Sequence, residues 1–190
     1  MAETSTLANS ATLISIDVQQ GLDDPSCGHR NNPEMEANAL RLLAAWRGSG
    51  RPVITVKHNS VSSTSTLRPG QKGNDLKLGF TPLDGEPLIE KSVNSAFIGT
   101  DLEQRLRAAG STQLVFFGLT SDQCVSTTAR MAANLGFETF VVADACAAFE
   151  QTAPNGELVP AETIHLAHMT TLNTEFGQVL NVDDVLARLA

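Results

Sequence analysis

Cys124 is the first candidate for nucleophilic chemistry in this sequence. It ends the segment Gly-Leu-Thr-Ser-Asp-Gln-Cys that begins at Gly118. An apolar run typical of a buried strand precedes this segment, and a run with helical spacing follows it. A thiol in the first turn of a helix lies near the positive end of the helix dipole, which favours the thiolate. The free N–H groups of such a turn can also hold a developing oxyanion. The alternative is a small buried residue without chemistry.

An acid and a base could join this thiol, because each also ends a predicted strand. Asp17 follows the apolar run that begins at Ala11, and Lys91 ends the short run that begins at Leu88. Ligands of open parallel sheets bind beyond the carboxyl ends of the strands, so the three residues would share one rim. Together they indicate a catalytic site. Taken singly, Asp17 could cap a turn and Lys91 could be a solvated surface charge.

Opposing effects act on the pKa of the Cys124 thiol. The helix N-terminus and Lys91 would lower this pKa, whereas Asp17 would raise it, because a second negative charge disfavours the thiolate. The sequence does not give the distances that decide between these effects. The titrations of Asp17 and Cys124 should be coupled, so an apparent pKa belongs to the pair.

The other residues of reactive type have weaker functional interpretations. His58 ends the second predicted strand, where a role in the site and a structural role are open alternatives. Asp144 ends the fifth predicted strand and is expected to cap a turn. His165 and His168 share a predicted helix, and we expect them to face solvent or the neighbours of that helix rather than a metal.

The elements that must position these residues alternate between strands and helices along the chain. Apolar runs predict strands at residues 11–16, 52–58, 88–91, 113–117, 137–143 and 176–180. Helices are predicted at residues 33–48, 101–107, 125–135, 160–169 and 182–189. This alternation predicts the α/β class, with a mostly parallel sheet and helices on both of its faces.

Two predicted helices have specific start signals. Asn32 is the expected N-cap of the first helix, with Pro33 at the next position. Thr100 and Glu103 match a capping box at the start of the second helix. The apolar face of the first helix is predicted to contain Ala37, Leu40, Leu43 and Ala44.

A long irregular segment, residues 59–86, is rich in Ser, Thr, Gly, Pro and Lys. Loops of this length inside a compact domain are usually functional or disordered. We therefore expect a lid or an oligomer contact rather than a linker between domains, because the sequence offers no second hydrophobic core nearby.

Composition and charge exclude several classes of function. The chain has 190 residues and a formal net charge of −8, and it has no basic run that could neutralise the phosphates of nucleic acid. We expect one domain over residues 1–190, with residues 1–10 as a loose tail. No apolar run is long enough to cross a membrane, and the N-terminus lacks the pattern of a secretory signal. A cytoplasmic location is therefore expected.

The cysteines also favour a reducing compartment. Three cysteines in a chain of this length form no disulfide framework, and their spacing matches no zinc motif. Besides Cys124 they are Cys27, in a predicted loop, and Cys146, beside Asp144. Both are expected to be inert.

The order of these motifs resembles the isochorismatase-like cysteine hydrolases. The matching pieces are Asp17, then Lys91 in Glu-Lys-Ser-Val-Asn-Ser-Ala-Phe, then the run from Gly118 to Arg130. The resemblance extends over roughly residues 11–180. It implies a three-layer α/β/α arrangement around an open parallel sheet of about six strands.

The resemblance also implies roles for individual residues. Asp17, Lys91 and Cys124 would be a catalytic triad. The Leu119–Thr120 peptide would be cis, and the N–H groups of Thr120 and Cys124 would form an oxyanion hole. We expect a small-molecule substrate and a homo-oligomer, either a dimer or a tetramer.

One departure from the family concerns metal binding. The nicotinamidase branch carries Asp-x-His after the second strand, whereas this chain has Lys57-His58-Asn59. One candidate ligand without a nearby carboxylate makes a poor metal site, so we expect no metal and no other cofactor. Nicotinamide is therefore not the expected substrate. Gln19, His58 and Phe97 are predicted to form the wall of the substrate pocket.

The expected reaction is hydrolysis of an amide-type C–N bond in an amide, a ureide or a carbamoyl compound. Asp17 would take the proton of Cys124, and the thiolate would attack the carbonyl to give a thioester. Two alternatives remain open. Vinyl-ether hydrolysis of isochorismate needs only a carboxylic acid, and the complete Cys124 loop counts against it. An inactive assembly protein would not need all three members of the triad.

Overall fold

The structure, a computed structural model, describes residues 6–189. Its strands are β1 (Thr12–Ile16), β2 (Val53–His58), β3 (Leu88–Lys91), β4 (Gln113–Leu119), β5 (Glu138–Ala147), β6 (Gln151–Thr152), β7 (Leu158–Val159) and β8 (Gln178–Leu180). Its helices are α1 (Met35–Gly48), α2 (Leu102–Ala108), α3 (Ser126–Asn134), α4 (Ala161–Thr171) and α5 (Val182–Leu186).

Six of the strands form one sheet in the order β3-β2-β1-β4-β5-β8, and every neighbouring pair is parallel. All residues of β1 are buried, as are all residues of β4 except its first, so both faces of the sheet are covered. The predicted α/β fold with about six parallel strands is therefore confirmed. The short β6–β7 hairpin is antiparallel and was not predicted.

Helix α1 buries a different face from the predicted one. Ala37, Leu40 and Ala44 are exposed. The buried stripe contains Met35, Ala39, Leu42, Leu43 and Trp46. This stripe carries the larger side chains, so facing it inward removes more apolar area from water than the predicted face would.

The two predicted helix starts are also wrong. Helix α1 begins at Met35, and Asn32 instead adopts a positive φ of 48° and donates its side-chain amide to the carbonyls of Ala143 and Cys146. At α2, Thr100 accepts from the N–H of Leu102, but Glu103 pairs with Arg107 and does not complete a capping box.

Residues 7 and 8 of the predicted N-terminal tail are bound to the rest of the chain. Leu7 is buried, and its N–H donates to the carbonyl of Arg188 over 2.9 Å. The N–H of Ala8 donates to the side chain of Gln113 over 2.7 Å. The loose tail predicted for residues 1–10 is therefore wrong for this part, and residues 1–5 lie outside the described range.

Strand β5 is longer than predicted and continues through Asp144. The side chain of Asp144 accepts from the N–H of Val182, the first residue of α5, over 2.9 Å. Its expected capping role is thus found at a helix start rather than at a turn.

Strand β4 passes so close to β1 that a Cβ on Gly118 would lie 2.0 Å from the carbonyl oxygen of Ile16.

The long segment after β2 is ordered by side-chain amides. Asn74 donates its amide to the carbonyls of His58 and Leu67 and to the side chain of Asn59. Gln19 donates to the carbonyls of Asn74 and His58. These bonds hold the segment against the carboxyl end of the sheet. Over residues 6–189, no helix combines the length and the apolar composition needed to cross a bilayer.

Candidate active site

The predicted rim forms at the ends of four neighbouring strands. Asp17 follows β1, His58 and Lys91 end β2 and β3, and Cys124 lies in the turn after β4. His58 and Lys91 are register partners in adjacent strands. Asp17 has a positive φ of 50°, so the chain changes direction at this residue. The structure thus brings together the three residues that the sequence placed on one rim.

Lys91 lies at the centre of this group. Its ammonium donates to Oδ2 of Asp17 over 2.6 Å, to Sγ of Cys124 over 3.2 Å and to Nδ1 of His58 over 3.1 Å. An ammonium has three N–H donors and no lone pair, so all its donors are used. Nδ1 of His58 must therefore be the acceptor, and the neutral ring carries its proton on Nε2.

Burial controls the protonation of the site. It raises the pKa of Asp17, although the nearby Lys91 acts in the opposite direction. Burial and the carboxylate of Asp17 raise the pKa of Cys124 to about 12. Burial and Lys91 lower the pKa of His58 to about 4. At neutral pH the cysteine is therefore a thiol and the imidazole is neutral.

The turn that carries Cys124 leads directly into helix α3. Residues Ser121–Val125 form a π-helical turn, and helix α3 begins only at Ser126. Cys124 thus stays near the positive end of α3, and burial and Asp17 raise its pKa against that field. The Leu119–Thr120 peptide is cis, as the family resemblance implied.

A cavity of about 280 Å³ opens above the rim. Its wall is formed by Asp17, Leu22, His58, Ser60, Ser62, Ser65, Leu67, Asn94, Leu119, Thr120, Gln123 and Cys124. Two of its polar atoms, Oδ1 of Asp17 and Oγ1 of Thr120, are buried without a hydrogen-bond partner in residues 6–189. Buried polar atoms are normally paired, so these two are available to a bound molecule.

Two of the three predicted wall residues do not line the cavity. Gln19 is fully buried, and its amide ties the backbone of His58 to the carbonyl of Asn74. Phe97 stacks on Phe137 with 6.2 Å between the ring centroids. His58 lines the cavity, as predicted. The hydroxyls of Ser60, Ser62 and Ser65 were missed, and their only signal was the serine-rich start of the long segment.

His165 faces a neighbour of its helix, which is one of the two environments expected for it. It is buried, and its Nδ1 lies 2.7 Å from the hydroxyl of Ser121, in the turn that carries Cys124. Burial lowers the pKa of His165. Helix α4 thus holds the nucleophile turn through this hydrogen bond.

Asp17, His58 and Cys124 could each offer one ligand atom to a metal, and these atoms lie within 4.8 Å of one another. The ammonium of Lys91, however, binds all three residues. Lys57 and Asn59 do not complete a ligand set, because both are directed to the carboxylate of Glu90. This donor set does not fit a metal ion, since a cation already occupies its centre.

Known proteins share this architecture. Residues 11–184 match the family model for the isochorismatase domain. The isochorismatase family protein YrdC of Bacillus subtilis is 42% identical over 92% of this chain and 93% of its own length. Ureidoacrylate amidohydrolase RutB of Methylobacterium radiotolerans is 32% identical over 90% of this chain and 76% of its own length.

A solved structure agrees equally well. The crystal structure of an isochorismatase-family protein from Chromobacterium violaceum has a TM-score of 0.93 and 42% identity, and the match covers 97% of this chain and 96% of that one. Because the family model and these relatives extend over nearly the whole chain, the protein belongs to the isochorismatase family of hydrolases.

Proposed function

We propose that this hydrolase cleaves a small-molecule amide-type C–N bond through a thioester on Cys124. The observation that carries the proposal is the position of the thiol, which lines the cavity and contacts Lys91, itself paired with Asp17. A nucleophile, a proton acceptor and a cation that touches both are the components that thiol catalysis needs. The similarity to an amidohydrolase, RutB, supports the same class of reaction.

Activation of the thiol would transfer a proton within the buried group formed by Asp17, Lys91 and Cys124. Asp17 takes the proton of Cys124, so the ion pair of Lys91 with a carboxylate becomes an ion pair with a thiolate. The net charge of the buried group does not change in this step, which avoids the cost of burying a new isolated charge. The raised pKa of Asp17 makes its carboxylate a stronger base for this transfer.

The thiolate then attacks the carbonyl carbon. As the C–S bond forms, the carbonyl oxygen becomes an oxyanion, for which the N–H groups of Thr120 and Cys124 are the proposed donors. Collapse of this intermediate breaks the C–N bond, and the protonated Asp17 gives its proton to the leaving nitrogen. Water next attacks the thioester while Asp17 takes up its proton, and the departing sulfur regains a proton from Asp17.

The test is a panel of amides, ureides and carbamoyl compounds assayed for release of ammonia or amine. Turnover that leaves a mass adduct on Cys124 at early times would support the thioester. Turnover of vinyl ethers with none of the amides would contradict it.

Vinyl-ether hydrolysis is the second candidate, because burial raises the pKa of Asp17 and so favours its acid form. A carboxylic acid suffices for that reaction. The contact between Lys91 and Sγ of Cys124 favours amide hydrolysis, since vinyl-ether hydrolysis would give the thiol no role.

We also propose a homo-oligomer in the cytoplasm. Large apolar side chains are strongly exposed, among them Val61 and Leu78 with 86% and 97% of their surface accessible. A contact between subunits would remove this apolar surface from water. All three cysteines are free, as is usual in a reducing compartment. Light scattering would give the subunit number.

We expect the acid limb of the pH profile of kcat/KM to lie above about pH 4, the ordinary pKa of a carboxyl group. Asp17 must be ionised to accept a proton, and burial raises its pKa, so activity is lost as the pH falls through that raised value. The limb reports the coupled Asp17–Cys124 pair. His58→Asn is the control: the limb should persist in this variant, and its disappearance would assign it to the imidazole.

We expect dialysis against a chelator to leave kcat unchanged, because the ammonium of Lys91 binds the three candidate ligands Asp17, His58 and Cys124. Metal content and activity would be measured before and after dialysis. A loss of activity that zinc alone restores would contradict this prediction.

A further inference from the structure

The wall of the active-site cavity carries few charges. Apart from Asp17 and the imidazole of His58, its polar side chains within residues 6–189 are hydroxyls and carboxamides: Ser60, Ser62, Ser65, Asn94, Thr120 and Gln123. Hydroxyls and carboxamides both donate and accept hydrogen bonds, and they carry no charge. Among the described wall residues, none has an arginine or lysine side chain.

Lys91 does not supply the missing positive charge. Its side chain has no exposed surface, and its three donors are used by Asp17, His58 and Cys124. His58 is neutral at pH 7, because burial and Lys91 lower its pKa to about 4. A negatively charged substrate would therefore approach the carboxylate of Asp17 without a free cation nearby.

Arg68 is a cation on the long segment near the wall. Its guanidinium donates to the carbonyl of Ser63 over 2.9 Å, and neither residue lines the cavity. Its charge is exposed, where solvent and salt screen it. Arg68 thus adds no cation to the cavity wall.

The cavity volume limits the size of the substrate. The cavity measures about 280 Å³ and is partly open to solvent. The volume lies at the lower end of ligand sites, which range from about 300 to 1,000 Å³.

We propose that the substrate is a compact, uncharged amide or ureide, and that the site discriminates against carboxylates of the same shape. The type of bond that is cleaved rests on the proposed function, whereas the preference for uncharged over negatively charged molecules does not. A carboxylate would lose its hydration inside the cavity and would meet Oδ1 of Asp17, which has no partner within residues 6–189, whereas Lys91 has no donor left to bind it. An uncharged amide would exchange its water hydrogen bonds for those of the serine hydroxyls and of Asn94 and Gln123.

The charge preference can be measured without a known substrate. Iodoacetamide and iodoacetate transfer nearly the same group to sulfur, with formation of a C–S bond, loss of iodide and release of the thiol proton. They differ in charge. We expect the ratio of the iodoacetamide rate to the iodoacetate rate at Cys124 to be at least about tenfold larger in the folded protein than at the same cysteine in unfolded protein.

Cys27 is the internal control, because it is half-buried near Asp23 and Asp24 but outside the cavity. Its ratio reports the repulsion of iodoacetate by the two nearby carboxylates and by a chain of net charge −8, outside the cavity. Peptide mass spectrometry gives both rates from one sample. The proposal would be overturned if the ratio of the iodoacetamide rate to the iodoacetate rate at Cys124 were no larger than the ratios at Cys27 and in the unfolded protein.

Two variants locate the effect. Ser62→Arg adds a cation to the wall, whereas Ser63→Arg adds the same charge at the neighbouring residue, which does not line the cavity. We expect Ser62→Arg to lower the preference of Cys124 for iodoacetamide about tenfold and Ser63→Arg to leave it nearly unchanged. Equal effects of both variants would show that net charge sets the preference, which would overturn the proposal.

Matched substrates complete the test. Malonamide has two amide groups, whereas malonamate has one amide and one carboxylate. We expect kcat/KM of the wild-type protein to be at least about 100-fold higher for malonamide. Equal turnover of both would overturn the charge preference and support amide hydrolysis. If no amide is cleaved while Cys124 still prefers iodoacetamide, the proposed function fails and the charge preference stands.

Discussion

Replacing Cys124 with alanine is expected to lower kcat for the amide substrate by about 10⁵-fold or more, which corresponds to about 7 kcal/mol of transition-state stabilisation. The variant loses the atom that forms the thioester, and neither Asp17 nor Lys91 can replace it. The fold should persist, because the ion pair of Lys91 with Asp17 over 2.6 Å does not depend on the sulfur. Steady-state kinetics and thermal unfolding would be measured on the same preparation.

Cys27→Ala is the matched control for this variant. Cys27 is half-buried, does not line the cavity, and its thiol donates a hydrogen bond to the carbonyl of Gly21. It should keep wild-type kcat. Retention of substantial amide turnover by Cys124→Ala would contradict the nucleophile assignment and would favour vinyl-ether chemistry, in which the thiol is dispensable.

Asp17→Asn is expected to lower kcat by about 10³-fold, within the range for loss of a general base. The amide of asparagine cannot accept the proton of Cys124 or return it to the leaving nitrogen. The same change should speed alkylation of Cys124 by iodoacetamide, because the carboxylate of Asp17 helps to raise the pKa of this thiol. Its removal increases the thiolate fraction at a fixed pH.

Lys91→Met separates this effect from a general loosening of the site. Lys91 lowers the pKa of Cys124, so its loss should slow alkylation, opposite to the effect of Asp17→Asn. Both variants break a buried ion pair and should lower the free energy of unfolding by about 3 to 5 kcal/mol. Slower alkylation in Asp17→Asn, or faster alkylation in Lys91→Met, would refute the proposed electrostatic roles.

The rim of the site was predictable from the sequence for a physical reason. The carboxyl ends of parallel strands meet at one edge of the sheet, so Asp17, Lys91 and Cys124 could be placed together without any distance information. The pKa of Cys124 could not be predicted in the same way. It depends on burial and on separations of a few ångströms, which follow only from the folded chain.

The wall of the cavity was harder to predict than the rim. Gln19 stands two residues after Asp17, where a regular strand would point both side chains to one side. The positive φ of Asp17 breaks that alternation and turns Gln19 into the interior. Four of the twelve residues that line the cavity come from residues 60–67, whose path is set by the amide of Asn74 and not by a hydrophobic period.

The face of α1 was mispredicted for a related reason. Two stripes on this helix contain apolar residues, and helical spacing alone does not rank them. Packing against the sheet selects the stripe with Met35 and Trp46, because burial of large side chains stabilises the fold most. For His165, solvent and a packed neighbour were both expected, and its partner Ser121 could not be named because it is distant in the sequence.

The amide of Asn74 has a consequence for how the specificity of this protein can change. It binds Asn59 and Leu67, and the N–H of Ser60 donates to the carbonyl of Leu67, so the loop between them is closed at its base. That loop contributes three serines to the wall but none of the residues that contact Lys91. Residues 61–64 are exposed and therefore form a cassette that can be exchanged or lengthened, whereas Ser65 is held by the amide of Gln71 and Thr66 packs closely against Gly21 and Gly73. Since surface loops tolerate insertions at small entropic cost, libraries confined to this cassette should reach new substrates with the reaction centre intact.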